Sequence, residues 1–201
     1  MQKTHIILFG IAILVGLIAV VGAFFLTGPY AYQGSLIDPP VQAKDFSLID
    51  QNGGTFRLSD QQGKVLMIFF GYTNCPDECP ATLAEFKGLI SQLGDAAQQV
   101  RFVFITVDPE RDTQERLQEY LANFDPSIIG LTGNLTDLKK VWNDYGIYQE
   151  EILSEDTSNY SVGHTNRIYA IDVHGNLRLT YPFGIDQDKI LQDLVHLSRE
   201  N

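Results

Sequence analysis

The chain begins with its longest apolar stretch, "IILFGIAILVGLIAVVGAFFL" from Ile6 to Leu26, 21 residues without a charge. As a helix rising about 1.5 Å per residue it would be about 31 Å long, enough for the roughly 30 Å hydrocarbon core of a bilayer. Cleaved signals have shorter apolar cores, about 7–15 residues, and end at a small-x-small site that does not follow Leu26. Lys3 and the terminal amine precede the run and Lys44 is the first basic residue after it, so the positive-inside tendency puts the N-terminus in the cytoplasm. The pattern predicts a cytoplasmic N-terminus over 1–5, a single transmembrane anchor over 6–27 and everything later on the outer side. Residues 28–42 include "GPYAYQGSLIDPPV", rich in proline and glycine and without apolar periodicity, and read as a linker to one domain over 43–201.

Within the domain, strand-like and helix-like patterns alternate. "DFSLID" and "TFRLSD" flank Gln51-Asn52-Gly53-Gly54, a hairpin signal. "KVLMIFFGY" and "VRFVFITVD" are continuous apolar runs suited to central strands covered on both faces. Between them Leu83, Phe86, Leu89, Ile90 and Leu93 recur at helical spacing, with Gly94 as a stop. "TQERLQEYLANF", capped by Thr113, and "LTDLKKVWNDYG" predict two more helices. "NRIYAIDVHGNLRLTYP" predicts two strands about a His174-Gly175-Asn176 turn, and "DQDKILQDLVHLSRE" a closing amphipathic helix. "EEILSEDTSNYSVG" has no clear element. The order hairpin, β, α, β, α, α, ββ, α predicts an α/β sandwich with a parallel pair flanking a crossover helix.

Charge narrows the function classes. Of 14 basic residues only Lys3 precedes the apolar run, so 13 basic and all 25 acidic residues follow it, a net charge of −12. Such a surface excludes a nucleic-acid partner, because phosphates demand Lys and Arg.

The two cysteines, Cys75 and Cys79, lie in "FFGYTNCPDECPATL", where the first central strand feeds its helix. Ligand sites of α/β proteins commonly sit at such carboxyl ends of strands. Thiols four apart on a helix face one side and can converge on one ion or bridge to each other. Pro76 and Pro80 loosen the turn, and a helix N-terminus favours thiolate. A purely structural disulfide over so short a loop would stabilise little.

"FGYTNCPDECP", "VDPERDT" and "GHTNRIYAIDVHGNL" together resemble the signature blocks of the Sco/SenC family, collinear over about Ala43 to Asn201. The resemblance implies a thioredoxin-like sandwich with an N-terminal β-hairpin extension, preceded by the single transmembrane helix. It implies a membrane-anchored copper chaperone that assists assembly of the dinuclear copper centre of cytochrome c oxidase, whose copper-site subunit would be the partner. Cys75, Cys79 and His164 would ligate copper, Asp77 would lie in the binding turn and Asp108 near the metal. Some members carry an acid before the ligand histidine, where this chain has Gly163.

Donor chemistry favours the same three residues: thiolates suit Cu(I), and an imidazole lets a site hold Cu(II) as well. His5 borders the anchor, His174 falls in a hairpin turn and His196 on the last helix, each with an ordinary surface explanation. His164 is expected on a mobile loop that closes over the metal. Asp108 precedes Pro109 and can cap the next turn, pair with Arg111 or Arg116, or stand behind a ligand.

The other reading is a thiol-disulfide oxidoreductase, with Cys75 and Cys79 as a redox dithiol that keeps the oxidase copper-site cysteines or other exported proteins reduced. Its three-residue spacing departs from the usual two. A peroxiredoxin-type peroxidase is disfavoured because its threonine positions hold Tyr72 or Pro76. Without an arginine- and serine-rich transit region, the expected location is a bacterial cytoplasmic membrane with the domain in the periplasm or otherwise outside the cytoplasm. A periplasmic copper donor or thiol reductant is an expected further partner.

Overall fold

The computed structural model describes residues 2–26, 30–153 and 160–200. The chain separates into two compact units, one reaching to Tyr32 and one beginning at Gln33. In the first, helix α1 spans Gln2–Leu26 and exposes apolar side chains such as Phe9, Leu14 and Val20. Among the described residues no helix is long and apolar enough to cross a membrane. Side chains of α1 are described at His5 and over residues 8–22 only. Residues 27–29, where the predicted anchor gives way to the linker, lie outside the described residues.

The second unit is built on a mixed sheet of eight strands. In chain order these are β1 (Ser35–Gln42), β2 (Ser47–Asp50), β3 (Thr55–Arg57), β4 (Val65–Gly71), β5 (Val100–Thr106), β6 (Ile129–Thr132), β9 (Arg167–Ile171) and β10 (Asn176–Pro182). Strands β7 (Gln149–Leu153) and β8 (Tyr160–His164) make a separate two-stranded antiparallel ribbon. Across the sheet the order is β1-β10-β9-β4-β5-β6-β2-β3. β4, β5 and β6 run parallel and every other pairing is antiparallel.

β4 is buried along its whole length because it lies centrally with cover on both faces, which is why its sequence shows no alternation. Helices α2 (Glu78–Leu93) and α3 (Gln114–Ala122) cover one face: Phe86 packs on Phe102 at 4.9 Å between ring centroids, and Tyr120 on Phe104 at 6.3 Å. Phe70 points to the opposite face, where Tyr145, at the end of α4 (Leu135–Asp144), meets it at 5.9 Å. α5 (Gln187–Leu197) packs beside α2. Leu83, Phe86 and Leu89 of α2 are fully buried, each contributing about 1.5–3 kcal/mol relative to exposure. Gly94, at φ +54°, ends the helix as expected. Thr113 caps α3 by accepting the Arg116 N–H.

Four segments differ from the sequence expectation. Ser35–Gln42, placed in the linker, is instead edge strand β1, paired with β10. Its prolines hide the strand in the sequence. They are tolerated because the register shifts between Leu36 and Val41 at an outer edge, where one side needs no ladder donor. The predicted second hairpin arm stops at Arg57, and Leu58–Gln61 is a 3-10 turn. β6 was not expected: four residues are too few for a periodic signal. Its Gly130 lets α3 approach, since a Cβ there would lie 2.5 Å from Leu121. The stretch from Glu150 to Gly163, given no element, supplies parts of β7 and β8, with 154–159 outside the described residues.

Where the second unit begins, the Asp193 carboxylate, buried on α5, accepts the backbone N–H of Gln33 and of Gly34 at 2.9–3.0 Å and the Tyr181 hydroxyl at 3.1 Å. Gly34 is required by this approach, because a Cβ would stand 2.5 Å from the Tyr181 ring.

Candidate metal centre

β4 ends at Gly71, whose carbonyl accepts the Val107 N–H at 2.8 Å and so joins the ends of the two parallel strands. A Cβ at Gly71 would lie 2.8–2.9 Å from the Phe69 ring, the Cys79 sulfur and the Phe104 ring. Only glycine lets the buried sulfur rest against the strand end. The chain then turns through Tyr72–Cys75, with the Cys75 N–H donating to the Tyr72 carbonyl at 3.3 Å. Beneath this turn the buried Asp112 carboxylate accepts the Thr73 N–H (3.1 Å), the Thr73 hydroxyl (2.7 Å) and the Thr106 hydroxyl (2.7 Å). Arg116 Nε donates to the Thr73 hydroxyl at 3.2 Å. Burial raises the Asp112 carboxyl above its ordinary range, and its three donors oppose that shift.

Cys75 is half-buried, Cys79 is buried, and both are free thiols. Cys79, in the first turn of α2, directs its backbone N–H to the Cys75 sulfur at 3.4 Å. A hydrogen bond from the Cys79 thiol, helped by one from His164 and by the Cys79 and Asp77 amides, outweighs burial and holds Cys75 well below the usual thiol range, down to about 3. The same hydrogen bond, together with burial, pushes Cys79 up. The pair is therefore asymmetric: the half-buried Cys75 favours thiolate and the buried Cys79 favours thiol.

His164 completes the group. Its Nε2 lies 3.5 Å from the Cys79 sulfur, and the sulfurs and a ring nitrogen all lie within 4.8 Å of one another. Nδ1 is 3.1 Å from the Thr165 carbonyl. A carbonyl only accepts, so Nδ1 donates to it, and Nε2 is the ring nitrogen that faces the sulfurs. The ring packs edge-on against Tyr72 at 5.8 Å and Phe69 at 6.1 Å. His164 thus ends a paired strand, opposite Gln149, where the sequence predicted a loop.

The structure brings the three predicted ligands together, with Asp77 in the turn between the two cysteines and Asp108 behind the ribbon that carries His164. Asp77 is the exposed residue before α2, without a side-chain cap, and meets Cys75 through its backbone. Asp108 is buried with both oxygens engaged, one by Arg111 Nε at 2.5 Å and one by the Tyr160 hydroxyl at 2.7 Å. Of its predicted partners it takes Arg111. A side chain at position 163 would point toward Ile152 and Tyr148, on the ribbon face opposite His164, so an acid there would point away from the sulfurs. His174 sits in the β9–β10 turn, and His196, on α5, pairs with Glu200 beyond the helix end, both outside the cluster.

Asp112, Thr73, Tyr72 and Tyr160 were not singled out as parts of the site. The "ERDT" run signals an exposed turn, and nothing local shows that its Asp112 reaches Thr73, 39 positions away. Two soft sulfurs and one imidazole nitrogen suit copper. A closed structural zinc site would need a fourth donor, and among the described residues the cluster has three.

The SCO1/SenC family model matches residues 36–199. The SCO2-like protein of Rickettsia felis is 36% identical over 174 residues, covering 82% of this chain and 85% of that protein. Among solved structures, Bradyrhizobium japonicum ScoI with copper bound superposes with a TM-score of 0.72 at 35% identity, covering 77% of this chain and 98% of the other. Yeast Sco1 with copper bound gives 0.73 at 30%, covering 81% and 91%. Apo Sco1 from Thermus thermophilus gives 0.75 at 32%, covering 85% and 99%. The chain belongs to the SCO1/SenC family.

Proposed function

We propose that this protein is a copper chaperone that holds one copper ion on Cys75, Cys79 and His164 and hands it to the copper-site subunit of cytochrome c oxidase. The observation that carries the reading is the convergence of two sulfurs and an imidazole nitrogen within 4.8 Å at the carboxyl end of β4. Two thiolates satisfy Cu(I), and the imidazole supplies the nitrogen that Cu(II) prefers. A half-buried Cys75 beside a buried Cys79 leaves one side open to a donor or a recipient. Copper-bound ScoI and Sco1 structures among the relatives support the choice of metal.

The apolar run Ile6–Leu26 supports a single-pass anchor in a bacterial cytoplasmic membrane with the domain on the periplasmic or outer side. A reporter active only outside the cytoplasm, fused after Asn201, should be active, and a shortened soluble form as the main product would overturn the anchor. Copper handling is tested by anaerobic titration of the reduced protein: one ion per chain is expected, and no binding overturns the reading.

The asymmetry between the two sulfurs favours a second activity, disulfide reduction. The Cys75 thiolate would attack a substrate disulfide and release one substrate thiolate. Cys79 would lose its proton and attack the Cys75 sulfur, releasing the second thiolate and leaving a Cys75–Cys79 disulfide. Rapid insulin reduction without copper binding would make this the main function.

A further inference from the structure

We propose that Asp108, Arg111 and Tyr160 form a latch that positions His164, and that this latch governs how tightly the site holds Cu(II) relative to Cu(I). The inference rests on the copper reading above. β8 belongs to a ribbon outside the main sheet, so no ladder bond of that sheet falls on His164 itself. At the first residue of β8 side chains take over that task. The Tyr160 hydroxyl donates to Asp108 Oδ1 at 2.7 Å, the Tyr160 carbonyl accepts from Arg111 Nη1 at 2.9 Å, and the guanidinium lies over the Tyr160 ring at 3.6 Å. Asp108 Oδ2 accepts from Arg111 Nε at 2.5 Å. Asp108 is itself fixed to the end of β5, donating its N–H to the Thr106 hydroxyl at 2.8 Å. Arg111 also lies over the Tyr72 ring at 5.7 Å, and Tyr72 in turn meets the His164 ring.

Tyr160 and His164 are the two ends of one five-residue strand and, an even number of positions apart, point to the same face. The strand spans about 13 Å at roughly 3.3 Å per residue, so a tilt at Tyr160 is carried to the imidazole. The sulfurs, on the β4–α2 junction, do not depend on it. Asp108, with both oxygens occupied, acts on the metal only through Tyr160 and Arg111: it is a positioning residue. Losing the latch therefore weakens the ion that needs the imidazole and spares the one that two thiolates satisfy.

The test uses Tyr160→Phe, which removes the hydroxyl but keeps the ring beneath the guanidinium, Asp108→Asn, and Arg111→Lys, which keeps the charge and loses the planar stack. In the reduced, metal-free protein the His164 ring protons should be displaced by the Tyr72 and Phe69 ring currents, and in Tyr160→Phe they should move toward the values of an exposed histidine. Cu(II) binding should weaken about tenfold in Tyr160→Phe and Asp108→Asn, with reduced nitrogen coupling in the Cu(II) spectrum, as expected for a lost hydrogen bond. Cu(I) binding should stay within about twofold by the same arithmetic, and Arg111→Lys should fall between the native protein and Tyr160→Phe. Unchanged His164 signals and an unchanged ratio of Cu(II) to Cu(I) affinity in all three variants would overturn the latch, as would a parallel loss of both ions. If the native protein binds no copper the chaperone reading falls, while the metal-free signals still decide whether the latch holds His164.

Discussion

The turn that carries the two sulfurs and the ribbon that carries the histidine are built on different principles. The turn grows from a fully buried central strand, is undergirded by the Asp112 carboxylate with its Thr73 and Thr106 donors, and feeds a helix whose core side chains are buried. The ribbon is two strands outside the main sheet, with Ile152 and Leu153 exposed and polar contacts through Tyr160 holding it down. Two donors are thus part of the core and the third is attached to it. On the copper-carrier function proposed above, one half would keep hold of the ion while the other adjusts to its oxidation state.

Removing either sulfur should break the site outright. Cys75→Ser or Cys79→Ser is expected to weaken both Cu(I) and Cu(II) by about a thousandfold, about 4 kcal/mol, measured by competition with a chelator of known affinity. Asp112→Ala attacks the turn from below. It strands three donors in the core and should lower unfolding stability by about 2–4 kcal/mol in urea denaturation of the metal-free protein. His164→Ala attacks only the ribbon half: Cu(II) affinity should fall about a hundredfold, about 2.7 kcal/mol, while Cu(I) changes less than about threefold. Equal losses for both ions would erase the distinction between the halves. The smallest effect is a flat line. Because Cys75 is held at about 3, it remains thiolate from mildly acidic to neutral pH. Its alkylation rate in the reduced metal-free protein should change less than about twofold between pH 5 and 7, where an ordinary exposed thiol gains about a hundredfold. Cys79, pushed up and buried, should stay unmodified, as peptide mapping would show.

Central elements were legible in the sequence because their signal is local. Continuous apolar runs marked β4 and β5, the spacing of Leu83, Phe86 and Leu89 marked α2, and Thr113 marked the start of α3. The three donors were legible through their motifs. Features that depend on distant partners were not. β1 exists because β10 lies beside it and overrules the prolines, and the ribbon exists because Gln149–Leu153 finds Tyr160–His164. Asp108 shows the limit most clearly. Arg111, three residues on, could be named as a candidate partner, whereas the Tyr160 hydroxyl, 52 positions away, could not.

The Asp193 bracket has a mechanical consequence. Tension arriving along the chain at Gln33 would, without it, act on β1, an edge strand whose antiparallel bonds to β10 could open one after another. The amides of Gln33 and Gly34 are instead fastened to a carboxylate on the closing helix α5, itself tied to Tyr181 of β10. The pull is therefore shared between the first and last elements of the unit, and a zipper that would fail bond by bond becomes a joint whose bonds must give way together.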